Sequence, residues 1–93
     1  MDNRVLSDTY RRALYQMAQQ KGYALTFAFK EMGPDHRRLY ECTFYLGELG
    51  SPPLTGTPVT GEWRYSRDAA KEEAAHRALP VLHSFPNRRR TYL

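Results

Sequence analysis

The chain has 93 residues, which is enough for one small domain, and its 41% hydrophobic and 13% aromatic residues argue against disorder. The formal net charge of +4 is typical of a protein that meets a polyanion or an anionic membrane surface, and equally of a soluble basic domain. Cys42 is the single cysteine, which excludes an intramolecular disulfide and a cysteine-based zinc site. The opening sequence MDNRVLSDTY lacks the apolar segment of a signal peptide, so an intracellular protein is expected.

The first predicted element is a helix over residues 7–22. Ser7 or Asp8 can cap its start, and Gly22 can end it. Apolar residues recur there at spacings of three and four, as one face of a helix requires: Tyr10, Ala13, Leu14, Met17 and Ala18. We expect this face to belong to the core.

Two strands come next, separated by a turn. Larger apolar side chains occupy every second position of residues 25–30, which predicts a strand, and the turn sequence GPDH at 33–36 then ends it. Residues 39–46 form the clearest strand, because the apolar side chains occupy alternate positions and so share one side: Tyr40, Cys42, Phe44 and Leu46. Cys42 is thus predicted to be a packed small residue rather than a reactive thiol.

A third strand and a second helix complete the pattern. A loop rich in glycine and proline, residues 47–56, leads to a strand predicted over 57–65, with Trp63 and Tyr65 on one face. Ser66 is a good N-cap for a helix that extends to about residue 83. Pro80 lies inside this pattern and predicts a kink or a frayed last turn.

The order is therefore α-β-β-β-α, which predicts an α+β domain in which two helices pack on one face of a three-stranded antiparallel sheet. We place an N-terminal extension at 1–7, the domain at 8–84 and a basic flexible tail at 85–93. The tail has no apolar period and contains Arg88, Arg89 and Arg90. It is typical of a disordered segment, a nuclear-import signal or an RNA-binding arm.

This order resembles the double-stranded-RNA-binding domain, and three segments carry the resemblance over roughly residues 8–83. LYQMAQ at 14–19 is similar to the family's helix-one pattern of leucine, glutamate two residues later, and then glutamine. GPDHRRLY at 33–40 matches the family's Gly-Pro-x-His, followed at fixed spacing by an aromatic residue. SRDAAKEEAAHRAL at 66–79 is similar to the family's Ser-Lys-Lys-x-Ala-Lys helix start with its paired alanines.

The resemblance implies three contact regions on A-form RNA, whose wide minor groove presents 2′-hydroxyls and whose major groove is deep and narrow. Helix one would lie in a minor groove, the 33–36 turn in the next minor groove, and the start of helix two against the phosphates across the major groove. The implied RNA-binding residues are Arg12, Gln16 and Gln19 of helix one, Gly33, Pro34 and His36 of the turn, and Arg67 and Lys71 of helix two.

The chemistry of these side chains fits such contacts. Gln16 takes the family's glutamate position, and its amide can donate to or accept from a 2′-hydroxyl. Arg12 is one turn earlier on the same face. Arg67 and Lys71 hold the family's first and last lysine positions, where cations and a helix N-terminus together bind phosphate.

Two positions depart from the family pattern. Asp68 occupies the middle lysine position, and Tyr65 stands where the family usually has glycine. An anion facing phosphates predicts weak to moderate RNA affinity. Non-functional roles are also open: His36 can satisfy only the backbone of its turn, and Arg67 and Lys71 can form a solvated face that pairs with Glu72 or Glu73.

The function predicted from these features is a non-catalytic module that binds double-stranded RNA with little sequence preference, in a setting of RNA processing or RNA silencing. The alternative is a protein-interaction or dimerisation module on the same fold, which would use Trp63, Tyr65 or an unpaired sheet edge. We expect no catalytic residue, metal, cofactor, membrane or small-molecule substrate. The chain can also be the accessory domain of a larger enzyme, and the cytoplasm and the nucleus remain equal alternatives.

Overall fold

The computed structural model describes residues 8–89 and has the predicted element order. Its helices and strands are α1 (Thr9–Lys21), β1 (Tyr23–Met32), β2 (Leu39–Glu48), β3 (Thr57–Thr60) and α2 (Arg67–His83). The strands form one antiparallel sheet in the order β1-β2-β3. Both helices pack against this sheet and against each other. The predicted α+β architecture is therefore confirmed.

The start and the end of α1 are stabilised differently. Gly22 adopts a left-handed conformation at φ 86°, and its N–H donates to the Ala18 carbonyl at 2.9 Å, as a helix-ending glycine does. Asp8 occupies the N-cap position, but its side chain makes no capping bond and instead pairs with Arg12 at 2.8 Å. Side-chain capping by Asp8 is thus wrong, and Ser7 lies outside the described residues.

The core lies between the sheet and the two helices. Its largest fully buried side chains are Phe44, Leu14, Leu82 and Cys42. On α2 the buried positions are mostly alanines, which let the helix approach the sheet closely: Ala70, Ala74, Ala75 and Ala78. Cys42 is packed as predicted, and burial raises the pKa of its thiol to about 11.

The third strand is shorter than predicted. β3 ends at Thr60, but bonds to β2 continue beyond it: the Gly61 N–H donates to the Cys42 carbonyl at 3.1 Å, and Arg64 exchanges two backbone bonds with Tyr40. Gly61 also packs against α2 so tightly that a Cβ there would lie 2.7 Å from the backbone nitrogen of Ala74. Between the two contacts this segment advances by three residues and β2 by only two, so regular strand pairing is interrupted where Trp63 lies. Trp63 is half-buried, whereas Tyr65 is 81% exposed.

The end of α2 is held by the end of α1. The helix continues through Pro80 to His83, so the predicted fraying of its last turn is not found. The ammonium of Lys21 donates to three carbonyls at this end, those of Leu82, His83 and Phe85, at 3.2, 2.7 and 2.6 Å. These bonds add partners to the carbonyls at and just beyond the C-terminal end of α2, where the Leu82 carbonyl also accepts from the Phe85 N–H at 3.0 Å.

Candidate nucleic-acid interface

The turn between β1 and β2 has the tight geometry that its sequence requires. Gly33 has φ 94°, and a Cβ at this position would lie 2.8 Å from the carbonyl oxygen of Arg37. Pro34 precedes a single 3-10 turn, Asp35–Arg37, which is closed by a hydrogen bond from the Arg37 N–H to the Pro34 carbonyl at 2.9 Å. His36 is exposed at the tip. The turn is therefore closed by a backbone hydrogen bond and presents a histidine and an arginine side chain to solvent.

The three predicted residues of α1 lie on one exposed stripe. Arg12, Gln16 and Gln19 are separated by four and three residues, so they follow one another along the same face, and all three are exposed. Arg12 forms an ion pair with Asp8, one turn earlier. Because both side chains of this ion pair are exposed to solvent, a phosphate can compete with Asp8 for the Arg12 guanidinium.

The start of α2 combines a capped helix end with the Arg67 cation. The Ser66 hydroxyl accepts a hydrogen bond from the Ala69 N–H at 3.0 Å, which confirms the predicted N-cap. The Arg67 guanidinium lies 4.8 Å from the centroid of the Tyr40 ring and 2.6 Å from a carboxylate oxygen of Glu31. Arg67 is thus held over the sheet by an aromatic face and an acid.

Lys71 folds back onto aromatic rings instead of extending into solvent. Its ammonium lies 3.7 Å from the centroid of the Phe27 ring and 5.4 Å from that of the Tyr15 ring. Partial burial lowers the pKa of Lys71, because desolvation disfavours the charged form. The lysine is therefore positioned at the junction of α1, α2 and β1.

Two sets of contacts connect neighbouring parts of the three regions. Arg12, Tyr15 and Lys71 line one open depression between the two helices. Separately, Arg67 pairs with Glu31, whose second carboxylate oxygen lies 2.6 Å from Arg38, just after the turn. Hydrogen bonds from Arg38 and Arg67 lower the pKa of Glu31, and the bond from Arg38 has the larger effect.

Not all the predicted residues touch one another. Within residues 8–89, no hydrogen bond or ion pair joins the side chain of His36 to Arg67 or Lys71. Arg38 and Glu31 provide the only such link described between the turn and α2. The predicted site therefore consists of a helix pair brought together by Lys71 and a turn placed beside it.

The acidic residues of α2 do not pair with the two predicted phosphate-binding cations. The Glu72 carboxylate accepts from the backbone N–H groups of Tyr10 and Arg11, at 2.6 and 3.1 Å, and from the Arg11 guanidinium at 3.0 Å. Asp68 lies 3.4 Å from the same guanidinium. Glu72 therefore caps α1, and Asp68 shares the Arg11 cation with it.

Glu73 is likewise occupied elsewhere. Its carboxylate pairs with Arg64 at 3.1 Å and with Arg77 at 2.7 Å. The alternative in which Arg67 or Lys71 forms an ion pair with Glu72 or Glu73 is therefore wrong within residues 8–89.

Sequence reasoning missed several side chains of this surface. Tyr15 and Phe27 form the platform for Lys71, and Arg37 adds an exposed cation beside His36. Phe27 carried no separate signal, because its place on the apolar side of the first strand predicts burial, whereas the structure leaves it 37% exposed on the edge strand β1. The pairing of Arg11 with α2 had no signal, since residues 61 positions apart show no local pattern.

Comparison with solved structures decides the fold. The structure of Arabidopsis HYL1, described for its implications for miRNA processing, matches 81% of this chain and 97% of its own length, at 23% identity and a TM-score of 0.66. The chain has the fold of a double-stranded-RNA-binding domain. The first such domain of HYL1 matches 75% of this chain and 90% of its own length, at 25% identity and a TM-score of 0.60. The second such domain of DRB4 matches 82% and 97%, at 21% identity and a TM-score of 0.58.

The resemblance predicted from three short segments is thus confirmed for this double-stranded-RNA-binding-domain fold. No family model matches the chain, and a search of curated protein sequences finds no match. Neither helix within residues 8–89 is long and apolar enough to cross a membrane. In the same part of the chain, no three His, Cys, Asp or Glu side chains are grouped so as to hold a metal ion.

Proposed function

We propose that this domain binds double-stranded RNA, recognising the A-form shape, the 2′-hydroxyls and the phosphates with little sequence preference. The observation that carries the proposal is that the three predicted contact regions are linked in pairs. Arg12 of α1 and Lys71 of α2 line one depression, and Arg67 of α2 is linked through Glu31 to Arg38, just after the turn. These links support the three regions that a duplex of this shape requires. RNA processing or RNA silencing is the setting we propose, as miRNA processing is for HYL1.

The exposed stripe of α1 enters one minor groove in this proposal. The amides of Gln16 and Gln19 bond to 2′-hydroxyls or base edges, because an amide both donates and accepts. Arg12 exchanges Asp8 for a phosphate at the groove's edge. The turn between β1 and β2 enters the next minor groove. There Gly33 and Pro34 hold the backbone close to the RNA, and His36 forms a hydrogen bond with a hydroxyl or a phosphate.

The start of α2 binds the phosphates between the two grooves. Arg67 and Lys71 are four residues apart, and the helix N-terminus beside them carries partial positive charge. The aromatic platform fixes the direction of Lys71 before RNA arrives, which reduces the entropy lost on binding. A phosphate near its ammonium favours the charged form and so opposes the effect of burial on its pKa.

Asp68 weakens this interface, in our proposal, by about 1 kcal/mol. It replaces a cation, but its pairing with Arg11 reduces its repulsion of the phosphates. The variant Asp68→Lys tests this assignment: RNA affinity should rise, and the dependence of log affinity on log salt should steepen by about one. An unchanged salt dependence would show that no phosphate lies near this position.

A second candidate function is the protein-interaction module, with a partner protein or a second copy of the chain. The observation that favours it is Tyr65, a large aromatic residue that is 81% exposed directly before α2. Sedimentation of the free protein separates the candidates. A monomer that sediments faster only when RNA is added favours RNA binding, whereas a dimer that Tyr65→Ser dissociates favours the second candidate.

The proposal is tested by titrating the protein with an RNA duplex of about 20 base pairs, a DNA duplex of the same sequence and single-stranded RNA, at two salt concentrations. Selective, salt-sensitive binding to the RNA duplex is expected. Lys71→Gln should weaken it, while Lys30→Gln, which removes an exposed cation from the other face of β1, should not. Equal affinity for all three nucleic acids, or none for any, would overturn the proposal.

A further inference from the structure

The segment after α2 follows a fixed path along the end of α1 and the start of β1. The Tyr23 hydroxyl donates to the Pro86 carbonyl at 2.6 Å, and the Arg88 backbone N–H donates to the Lys21 carbonyl at 2.7 Å. Residues 85–89, predicted as part of a tail, thus lie against folded elements up to Arg89.

Two consecutive arginines in this segment have different surroundings. The Arg88 guanidinium pairs with Glu48 at 3.1 Å and donates to the Tyr23 hydroxyl at 3.2 Å, so its charge is already matched. The Arg89 guanidinium donates to the Gln19 carbonyl at 2.7 Å, and no carboxylate within residues 8–89 pairs with it. Because a guanidinium has five N–H donors, most of those on Arg89 remain available.

Arg89 stands where the exposed stripe of α1 ends. It lines, together with Tyr15 and Gln19, an open cavity of about 330 Å³. Gly22 makes this position possible, since a Cβ there would lie 2.9 Å from Cγ of Arg89. A cation is thereby added beside Gln19, at the C-terminal end of the stripe.

We propose that Arg89 is a further RNA-binding residue, which contacts a phosphate at the edge of the minor groove that the α1 stripe enters. Arg88 anchors the segment through Glu48, and Tyr23 is a positioning residue that holds the backbone before Arg89. This assignment rests on the proposed function. It extends the interface beyond the 8–84 domain bounds and gives the arginine-rich segment a defined place on the duplex.

The test uses RNA titrations of four variants, with affinity and salt dependence as readouts. Arg89→Gln should weaken binding about threefold to tenfold and reduce the salt slope by about one. Arg77→Gln is the matched control, because it removes the same charge from an exposed arginine that pairs with Glu62 and Glu73. Tyr23→Phe should weaken RNA binding to the same extent as Arg89→Gln and should speed exchange of the Arg88 amide proton. The double variant with both substitutions should bind RNA as weakly as Arg89→Gln alone.

The outcomes separate this inference from the proposed function. Unchanged binding by Arg89→Gln, while Lys71→Gln binds more weakly, would overturn the inference and leave the proposed function standing. An equal loss from Arg77→Gln would also overturn it, because net charge would then explain the effect. A further loss from Tyr23→Phe in the Arg89→Gln background would remove Tyr23 from its positioning role. Failure of the unaltered protein to bind duplex RNA would overturn both.

Discussion

Glu72 provides the sharpest test of how the two helices are held together. Its carboxylate accepts two backbone N–H groups at the start of α1 and pairs with Arg11, and its side chain is only 15% exposed. Glu72→Gln keeps the size of the side chain but replaces one acceptor oxygen with a donor that faces other donors. Loss of a helix cap costs about 1 kcal/mol, and loss of the partly buried bond between Glu72 and Arg11 costs about as much or more. Together they predict that Glu72→Gln lowers the free energy of unfolding by about 2 kcal/mol.

The assay is thermal unfolding beside the control variant Asp68→Asn. For a domain of this size, a loss of 2 kcal/mol corresponds to a melting temperature lower by about 8 to 16 °C. Asp68 pairs with the same arginine but is 66% exposed, so Asp68→Asn should change stability by less than about 0.5 kcal/mol. Equal, small shifts for both variants would refute the reasoning, because the carboxylate would then contribute no more than a surface charge does.

Three further predictions concern other parts of the fold. Gly33→Ala should destabilise the protein and weaken RNA binding more than Gly50→Ala does. Both glycines have positive φ, but only Gly33 lies so close to a backbone oxygen that an added Cβ would clash with it. Urea unfolding of the two variants measures the difference in stability. Folding lowers the Glu31 pKa, so the stability it contributes is present above the ordinary glutamate pKa and is lost as the pH falls through the folded value. Glu31→Gln should therefore flatten the stability profile below about pH 4.5 and, by freeing Arg67, tighten RNA binding; an unchanged profile would contradict this. Cys42, with its raised pKa and full burial, should react with a thiol reagent at pH 8 only after urea unfolds the chain, and rapid labelling of the native protein would contradict this.

Local patterns in the sequence were sufficient for the elements and the core. The alternation that contains Phe44 and the helical spacing around Leu14 both predicted residues that the structure buries completely. Ser66 and Gly22 marked helix ends that the structure confirms, because capping depends on residues close in the chain. The eight residues predicted to bind RNA are accounted for in the fold, and their role stays a prediction.

Contacts between distant parts of the chain were beyond such patterns. β3 ends at Thr60, where Gly61 packs against α2, although the sequence around this glycine is typical of a continuing strand. The pairing of Glu72 with α1 and the placement of Arg89 beside Gln19 join positions about sixty or seventy residues apart. These contacts change the interpretation of a residue: the sequence offered Glu72 as a partner for Arg67 or Lys71, whereas in the fold it caps the start of α1.

The two ends of α1 are bonded to α2 with the same separation along the chain. Tyr10 meets Glu72 and Lys21 meets His83, each pair 62 residues apart, so the two helices run parallel and in step. Each bond closes a loop that contains all three strands, and the entropy lost in closing that loop is offset only when the strands pair and the helices pack on them. Neither helix can therefore complete its end bonds by itself. Folding of this domain should behave as one cooperative transition, in which its first and last helices form and melt together.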